Sequence, residues 1–285
     1  MAETIGQFQI LGELGKGAYS TIFHIRRGSD QRPFALKVVP ITSKDDGKYR
    51  DQAQHEFRVA QKLDHVNLIK VYTLETERDW LFRVRALHLL IEYVNGRTLD
   101  QSPGLTMPRL VQAFAKIATG LAHMHRRGVY HADMKPSNIL LSKAGEVKII
   151  DYGLAWIKGE PKDRVQGTPE YMAPEQSKHG EVNALTDIYN LGATMYRMTT
   201  WTLPPSTVVE PDAPGMTARL FAKLLKPVHE LAPKAPKPLC ELIHRCMAYQ
   251  AKYRPQRVGD VLDVLNQLIE VLVQTDDDKL ESLGW

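Results

Sequence analysis

Val129-Tyr130-His131-Ala132-Asp133-Met134-Lys135-Pro136-Ser137-Asn138-Ile139-Leu140-Leu141 puts an acid, a lysine and an amide in one short polar loop between apolar residues. A second apolar run, Val147-Lys148-Ile149-Ile150, leads into Asp151-Tyr152-Gly153. Apolar flanks of this kind hold polar groups on a rigid base. An Asp/Asn pair offers the oxygen ligands that a hard cation such as Mg²⁺ takes. A further Asp can orient a hydroxyl nucleophile or accept its proton. Taken singly, each acid reads as a solvated loop residue. The spacing makes them a set: five residues from Asp133 to Asn138, then thirteen to Asp151.

The chain around this set has 285 residues, 43% of them hydrophobic, with a formal net charge of +4. That composition supports one large or two small folded domains and excludes intrinsic disorder. The basic residues are scattered, which argues against nucleic-acid binding. Cys240 and Cys246 fall six apart in a helical pattern and suggest neither a disulfide nor a metal site. Met1-Ala2-Glu3-Thr4 does not begin a signal peptide, and no apolar run is long enough to span a bilayer. A cytoplasmic chain with no membrane contact of its own is expected, although a membrane anchor outside it stays open.

Residues 8–92 alternate apolar and polar in short runs. Strands are expected at Phe8–Leu11, Thr21–Ile25, Phe34–Val39, Leu68–Tyr72 and Leu87–Ile91, with one helix at Tyr49–Leu63. From 108 to 270 the pattern is mostly helical. Leu110–His125 is apolar on a wide face, and Leu185–Thr199 is apolar nearly all round and so buried. Pro-rich stretches at 203–214 and 227–238 read as loops. A β-rich part followed by an α-rich part gives an α+β chain of two lobes, 1–94 and 95–285, with the boundary near Glu92–Gly96.

Further motifs fit this frame. Gly15-Lys16-Gly17-Ala18-Tyr19-Ser20-Thr21-Ile22 lies between two strands, where glycines allow a tight turn and bring N–H groups close to phosphate. A plain hairpin turn would use the same residues. Lys37 interrupts an apolar strand. The lysine is either a solvent-tipped edge residue or a cation held over phosphates, and in the second role it needs a carboxylate to fix it. Glu56, on the following helix, is the candidate.

In order and spacing, these motifs resemble the protein kinase family, whose patterns read G-x-G-x-x-G-x-V, H-R-D with a later N, D-F-G and A-P-E. Here they read Gly15/Gly17/Ser20/Ile22, His131-Ala132-Asp133 with Asn138, Asp151-Tyr152-Gly153, and Ala173-Pro174-Glu175. The resemblance covers about residues 8–270, and the wording Asp187-Ile188-Tyr189-Asn190-Leu191-Gly192 is similar to that of bacterial members. It implies a two-lobed kinase fold, with a β-rich N-lobe carrying one main helix and a mostly helical C-lobe. It implies ATP with Mg²⁺ or Mn²⁺, and protein substrates bearing Ser/Thr acceptors; Lys135 and Thr168 resemble the serine/threonine subtype. Gly15, Gly17 and Ser20 would cover the phosphates and Lys37, fixed by Glu56, would grip them. Ile22, Ala35 and Leu140 would sandwich the adenine, with Ile91 as gatekeeper and backbone contacts from Glu92 and Val94. Asn138 and Asp151 would hold the metal. Asp133 would act on the hydroxyl, with Lys135 near the γ-phosphate. Asp187 would brace the catalytic loop, and Arg254 would pair with Glu175.

The resemblance also leaves two rivals: a pseudokinase-type nucleotide-binding scaffold and a small-molecule phosphotransferase. The presence of Lys37, Asp133, Asn138 and Asp151 argues against the first. Gly167-Thr168-Pro169-Glu170-Tyr171 followed by A-P-E argues against the second. Ala132 departs from the family's arginine, which receives an activating phosphate on the following segment. Leu154–Gln166 has no Ser, Thr or Tyr to carry one. Independence from activation-segment phosphorylation is expected, with regulation by the Glu56 helix, self-association, partners or flanking domains. The opposing reading gives Ala132's role to Lys162 or Arg164.

Overall fold

The computed structural model describes residues 4–282 apart from 7, 18, 44–45, 162–165 and 209–214, and apart from the side chains of 275–282. The chain divides into two compact units. One is Met1–Asn95 together with Asp151–Gly153; the other is Gly96–Ile150 and Leu154–Trp285.

The first unit is an antiparallel sheet of six strands, ordered β1-β2-β3-β4-β6-β5. These strands are β1 (Thr4–Ile5), β2 (Phe8–Gly17), β3 (Ser20–Arg27), β4 (Pro33–Pro40), β5 (Val71–Arg78) and β6 (Val84–Glu92). Phe8, Ile25, Phe34, Leu36 and Leu90 form a core cluster, with Ile10, Phe23 and Val38 packed against it. β4 lies inside the sheet, so Lys37 is not an edge-strand lysine. Helix α1 (Gly47–Ala60) buries Ala53, Glu56, Val59 and Ala60. The three- and four-residue spacing of that set defines one face, and Glu56 is the charged residue on it.

One expected strand is displaced. Leu68–Tyr72 was expected from its apolar run, but the strand is Val71–Arg78, most of it exposed. Leu68 and Ile69 are buried without joining the ladder. The Ile69 carbonyl accepts the Tyr152 hydroxyl at 3.0 Å, the Lys70 carbonyl accepts the Glu92 N–H at 2.9 Å, and the Lys70 N–H donates to the Glu92 side-chain Oε2 at 3.1 Å. Those polar groups are satisfied outside the sheet, while a polar edge strand follows that hydropathy does not announce.

The second unit is mainly helical. Its helices are α2 (Met107–Arg126), α3 (Pro174–His179), α4 (Ala184–Thr200), α5 (Ala218–Leu224), α6 (Val228–Leu231), α7 (Lys237–Cys246) and α8 (Val258–Ser282). Two small sheets join them: β7 (Gly96–Thr98), β9 (Ile139–Ser142) and β10 (Val147–Ile149), and the pair β8 (Val129–Tyr130) with β11 (Trp156–Ile157). α4 is the central helix. Ile188, Tyr189, Leu191, Ala193, Met195, Tyr196 and Met198 are all buried, each worth roughly 1.5–3 kcal/mol where a large side chain leaves water. Its start is fixed by Asn183, whose Oδ1 accepts the Leu185 N–H at 2.8 Å while Thr186 returns a bond to the Asn183 N–H. A Cβ on Gly192 would lie 2.6 Å from that of Cys246, so the glycine permits the close approach of α7.

The Pro-rich stretch 227–238 contains the short helix α6 and the start of α7 as well as loop. Pro238 falls in the first turn of α7, where the missing N–H has no partner to lose. The other Pro-rich stretch lies partly outside the described residues, at 209–214.

Candidate active site

In the first unit, strand register places the nucleotide candidates. Paired residues share a sheet face. Ile22 pairs with Lys37 and Ala35 with Ile91, and Ala35 and Lys37 are two apart on β4. Ile22, Ala35, Lys37 and Ile91 therefore lie on one face. Lys37 Nζ is 2.7 Å from Glu56 Oε2 and 3.9 Å from Asp151 Oδ1. Burial works against the lysine charge, but the Glu56 and Asp151 carboxylates outweigh it and raise its pKa. Burial also pushes the Glu56 carboxyl up, with Lys37 opposing and Asp151 adding to the rise. One ammonium thus serves two carboxylates. Glu56 is buried, whereas the Asp151 side chain is 48% exposed, and its Oδ1 accepts the Gly153 N–H at 3.1 Å.

Gly17 at the end of β2 pairs with Ser20 at the start of β3, whose Oγ would lie 2.8 Å from a Cβ on Gly17. Beside Ser20, the Tyr19 ring stacks on Tyr49 of α1 with centroids 3.6 Å apart. The Glu92 N–H donates to the Lys70 carbonyl, so any adenine contact by Glu92 falls to its own carbonyl oxygen. Val94 follows the strand and is half-buried.

In the second unit, α4 organises the catalytic-loop residues. Asp187 is fully buried. Its two oxygens accept the His131 N–H at 2.9 Å and the Ala132 N–H at 2.8 Å, and His125 Nε2 lies 2.7 Å away. Burial raises the Asp187 pKa, but the His125 and amide contacts overcome it and hold the group below the usual carboxylate value. This grip holds Ala132 at a left-handed φ of 64°, a conformation that costs a residue with a Cβ about 1–2 kcal/mol.

Asp133 is consequently held with both oxygens engaged. Oδ1 accepts the N–H and the hydroxyl of Thr168, each at 3.0 Å, and Oδ2 is 2.8 Å from Lys135 Nζ. Lys135 also donates to Thr168 Oγ1 at 2.7 Å. Asn138 Nδ2 donates to the Asp133 carbonyl at 2.8 Å and to Oδ2 at 3.1 Å, which leaves its Oδ1 as the group able to meet a cation. Leu140 is half-buried on β9, opposite Lys148. Among the described residues no cluster of three or more His, Cys, Asp or Glu could hold a metal by itself.

Below these loops, Arg254 forms a two-pronged contact with Glu175 at 2.7 and 2.9 Å. It also donates to the carbonyls of Leu185, Ala248 and Tyr249 and lies over the Tyr189 ring.

Residues 8–267 match the protein kinase domain family. The chain belongs to that family. Relatives include the serine/threonine-protein kinase PrkC of Bacillus subtilis, 28% identical over 70% of this chain and 31% of that protein. RqkA of Deinococcus radiodurans, a DNA damage-responsive serine/threonine-protein kinase, is 29% identical over 88% of this chain and 38% of its own length. Pkn3 of Myxococcus xanthus is 30% identical over 70% of this chain and 38% of its own. The chain thus spans about a third of the length of these bacterial relatives. The two-lobed protein kinase fold accounts for both units.

Two departures from the kinase pattern have local causes. Tyr152 replaces the phenylalanine, and its buried hydroxyl is satisfied by Ile69. At Ala132 no side-chain charge is present, but the backbone is held on both sides. Its N–H goes to Asp187, and its carbonyl accepts Gln176 Nε2 at 2.6 Å. The motif reading missed Gln176, His125 and the Tyr19–Tyr49 stack, because their significance lies in contacts between residues distant in sequence. Among the described residues no helix is long and apolar enough to cross a membrane.

Proposed function

We propose that this kinase domain transfers the ATP γ-phosphoryl group to Ser/Thr hydroxyls of proteins. The observation that carries this reading is Asp133: a buried carboxylate held by Thr168, Lys135 and Asn138 on a backbone gripped by Asp187. Asp133 orients the acceptor hydroxyl and takes its proton, while Lys135 meets negative charge beside it. Thr168 and Lys135 together present a small polar site suited to an aliphatic hydroxyl. Lys37, fixed by Glu56, binds phosphate oxygens, and Gly15, Gly17 and Ser20 cover them with backbone N–H groups. Ile22, Ala35, Ile91 and Leu140 offer the apolar surface for adenine, with the Glu92 carbonyl and the Val94 backbone at its polar edge. By the family pattern Asn138 and Asp151 would hold the metal, and each offers a hard oxygen donor of the kind Mg²⁺ or Mn²⁺ takes. When bound, that cation neutralises charge on the phosphates. Catalysis is positioning and charge stabilisation. A cytoplasmic setting goes with this reading.

Lys37→Met is expected to preserve the fold, because the substitute fills a similar volume and the buried Glu56 carboxyl, whose pKa burial already raises, can take up a proton, and to remove most phosphoryl transfer. Circular dichroism with a labelled-ATP assay checks both; a variant of near-normal rate removes Lys37 from the nucleotide site.

The substrate class is tested by incubating the chain with Mg²⁺, γ-labelled ATP and generic protein substrates, with Asp151→Asn as control. Phosphoserine or phosphothreonine is expected, absent in the control. A product dominated by phosphotyrosine overturns the roles given to Lys135 and Thr168.

The chain also acts without activation-segment phosphorylation. Ala132 supplies no cation for a phosphate, and Leu154–Gln166 supplies no hydroxyl. Thr168, the next hydroxyl, is engaged by Asp133 and Lys135. Lys162 and Arg164, the other basic candidates, lie outside the described residues.

A further inference from the structure

Gln176 follows the A-P-E motif, on α3, and is fully buried. A buried primary amide is tolerable when its two donors and its acceptor are met. Here Nε2 donates to the Ala132 carbonyl of the catalytic loop at 2.6 Å and to the Gln166 carbonyl of the activation segment at 2.9 Å. Oε1 accepts the Ala173 N–H at 3.4 Å and lies 3.5 Å from Asn190 Nδ2, which also donates to the Tyr171 carbonyl. The amide's orientation is therefore fixed, because turning it over would set its oxygen against two carbonyl oxygens. A second observation points to the same contact. Gly167 stands at φ +145°, and a Cβ there would lie 2.9 Å from Gln176 Nε2 and 3.0 Å from Met172. The segment is glycine at the point where the amide passes.

We propose that Gln176 is a positioning residue that fastens the activation segment to the catalytic loop through one neutral amide. This rests on the reading that no activation-segment phosphate is needed, and it names what replaces that phosphate. In an arginine–phosphate pair, an added charge draws the segment onto the residue before the catalytic aspartate. In this chain the residue before the aspartate is Ala132, and the tie is made to its backbone carbonyl. Gln166 is tied by the same nitrogen, and two residues beyond it Thr168 is bonded to Asp133. Losing the amide strands the Ala132 and Gln166 carbonyls and loosens the position of Thr168 beside Asp133. The tie is between neutral groups and needs no added phosphate, so it acts as a constitutive lock and not a switch.

The test compares Gln176→Met and Gln176→Glu with the wild-type chain, all phosphatase-treated. Thermal melting and the KM for ATP are measured alongside kcat and the KM for a protein substrate. Gln176→Met removes the donors at nearly constant volume. It is expected to keep the ATP KM and to lose about tenfold to a hundredfold in kcat/KM for the protein substrate, the scale of a small misplacement at a reacting centre. Gln176→Glu sets a carboxylate against two carbonyl oxygens when ionised and restores one donor when protonated. Its activity relative to wild type is expected to rise as pH falls from 8 to 6, whereas the Gln176→Met ratio stays flat. A merely structural role would give no such pH dependence. Gln176→Met activity within twofold of an active wild type overturns the lock and leaves phosphate independence standing. If the Met variant fails to fold, a flat Gln176→Glu ratio overturns the lock by itself. A wild-type chain inactive until autophosphorylated overturns the phosphate-independent reading, whichever way the variants behave.

Discussion

Asp133→Asn is expected to lower turnover on protein substrates by about 10²- to 10⁴-fold, the contribution of a well-placed general base, while ATP binds as before. The amide keeps the size of the carboxylate and can still accept the Thr168 N–H through its oxygen. It cannot take the hydroxyl proton, and Lys135 loses the carboxylate 2.8 Å from its Nζ. The proposed nucleotide contacts lie on other residues, with Lys37 held by Glu56 at 2.7 Å. Steady-state rates together with direct titration of nucleotide separate the two effects. Turnover within tenfold of wild type means that Asp133 is not the base.

Arg254→Ala is expected to destabilise the chain by roughly 3–5 kcal/mol, the range for leaving a buried partner charge uncompensated. Glu175 would lose both prongs of its contact, and the carbonyls of Leu185, Ala248 and Tyr249 would lose a donor. Among the described residues the Thr186 hydroxyl, at 3.0 Å, would remain on Glu175. The melting temperature should fall on the order of 10 °C. Glu175→Gln, which leaves one oxygen to accept from Arg254 but sets an amide NH2 against its second prong and strands the buried guanidinium charge, should destabilise as well. A melting temperature unchanged by Arg254→Ala shows that the pair contributes nothing to the fold.

The parts of this molecule legible from its residues are those where chemistry is concentrated in short runs. Asp133, Asn138 and Asp151 stand out in the sequence as a set through their spacing between apolar runs, since singly each reads as a solvated loop residue. Lys37 was ambiguous from its strand alone. Placement on an interior strand, with Glu56 the charged residue on the buried face of α1, removes the edge-strand alternative. α4 was legible because its residues are apolar around nearly the whole circumference. β5 was not, since Thr73–Arg78 is a polar edge strand held by backbone pairing that leaves no hydropathy signal. Gln176 was hidden for a different reason. A buried glutamine looks in sequence like any surface glutamine, and its meaning comes from carbonyls 44 and 10 residues away. Tyr19 and Tyr49 were likewise unremarkable until the turn and the helix brought their rings to 3.6 Å.

The most direct measurement is a progress curve for phosphoryl transfer from γ-labelled ATP to a protein substrate, begun with phosphatase-treated chain and Mg²⁺ and followed through the first turnovers. The expected curve is linear from the start, and its rate is the same for chain allowed to autophosphorylate beforehand and for phosphatase-treated chain. A Thr168→Val control shows whether that hydroxyl contributes through Asp133 positioning. A lag that disappears on autophosphorylation, with the phosphate at Thr168 and the rate raised several-fold, contradicts phosphate independence. No transfer under any of these conditions contradicts the assignment of Asp133, Asn138, Asp151 and Lys37 to catalysis.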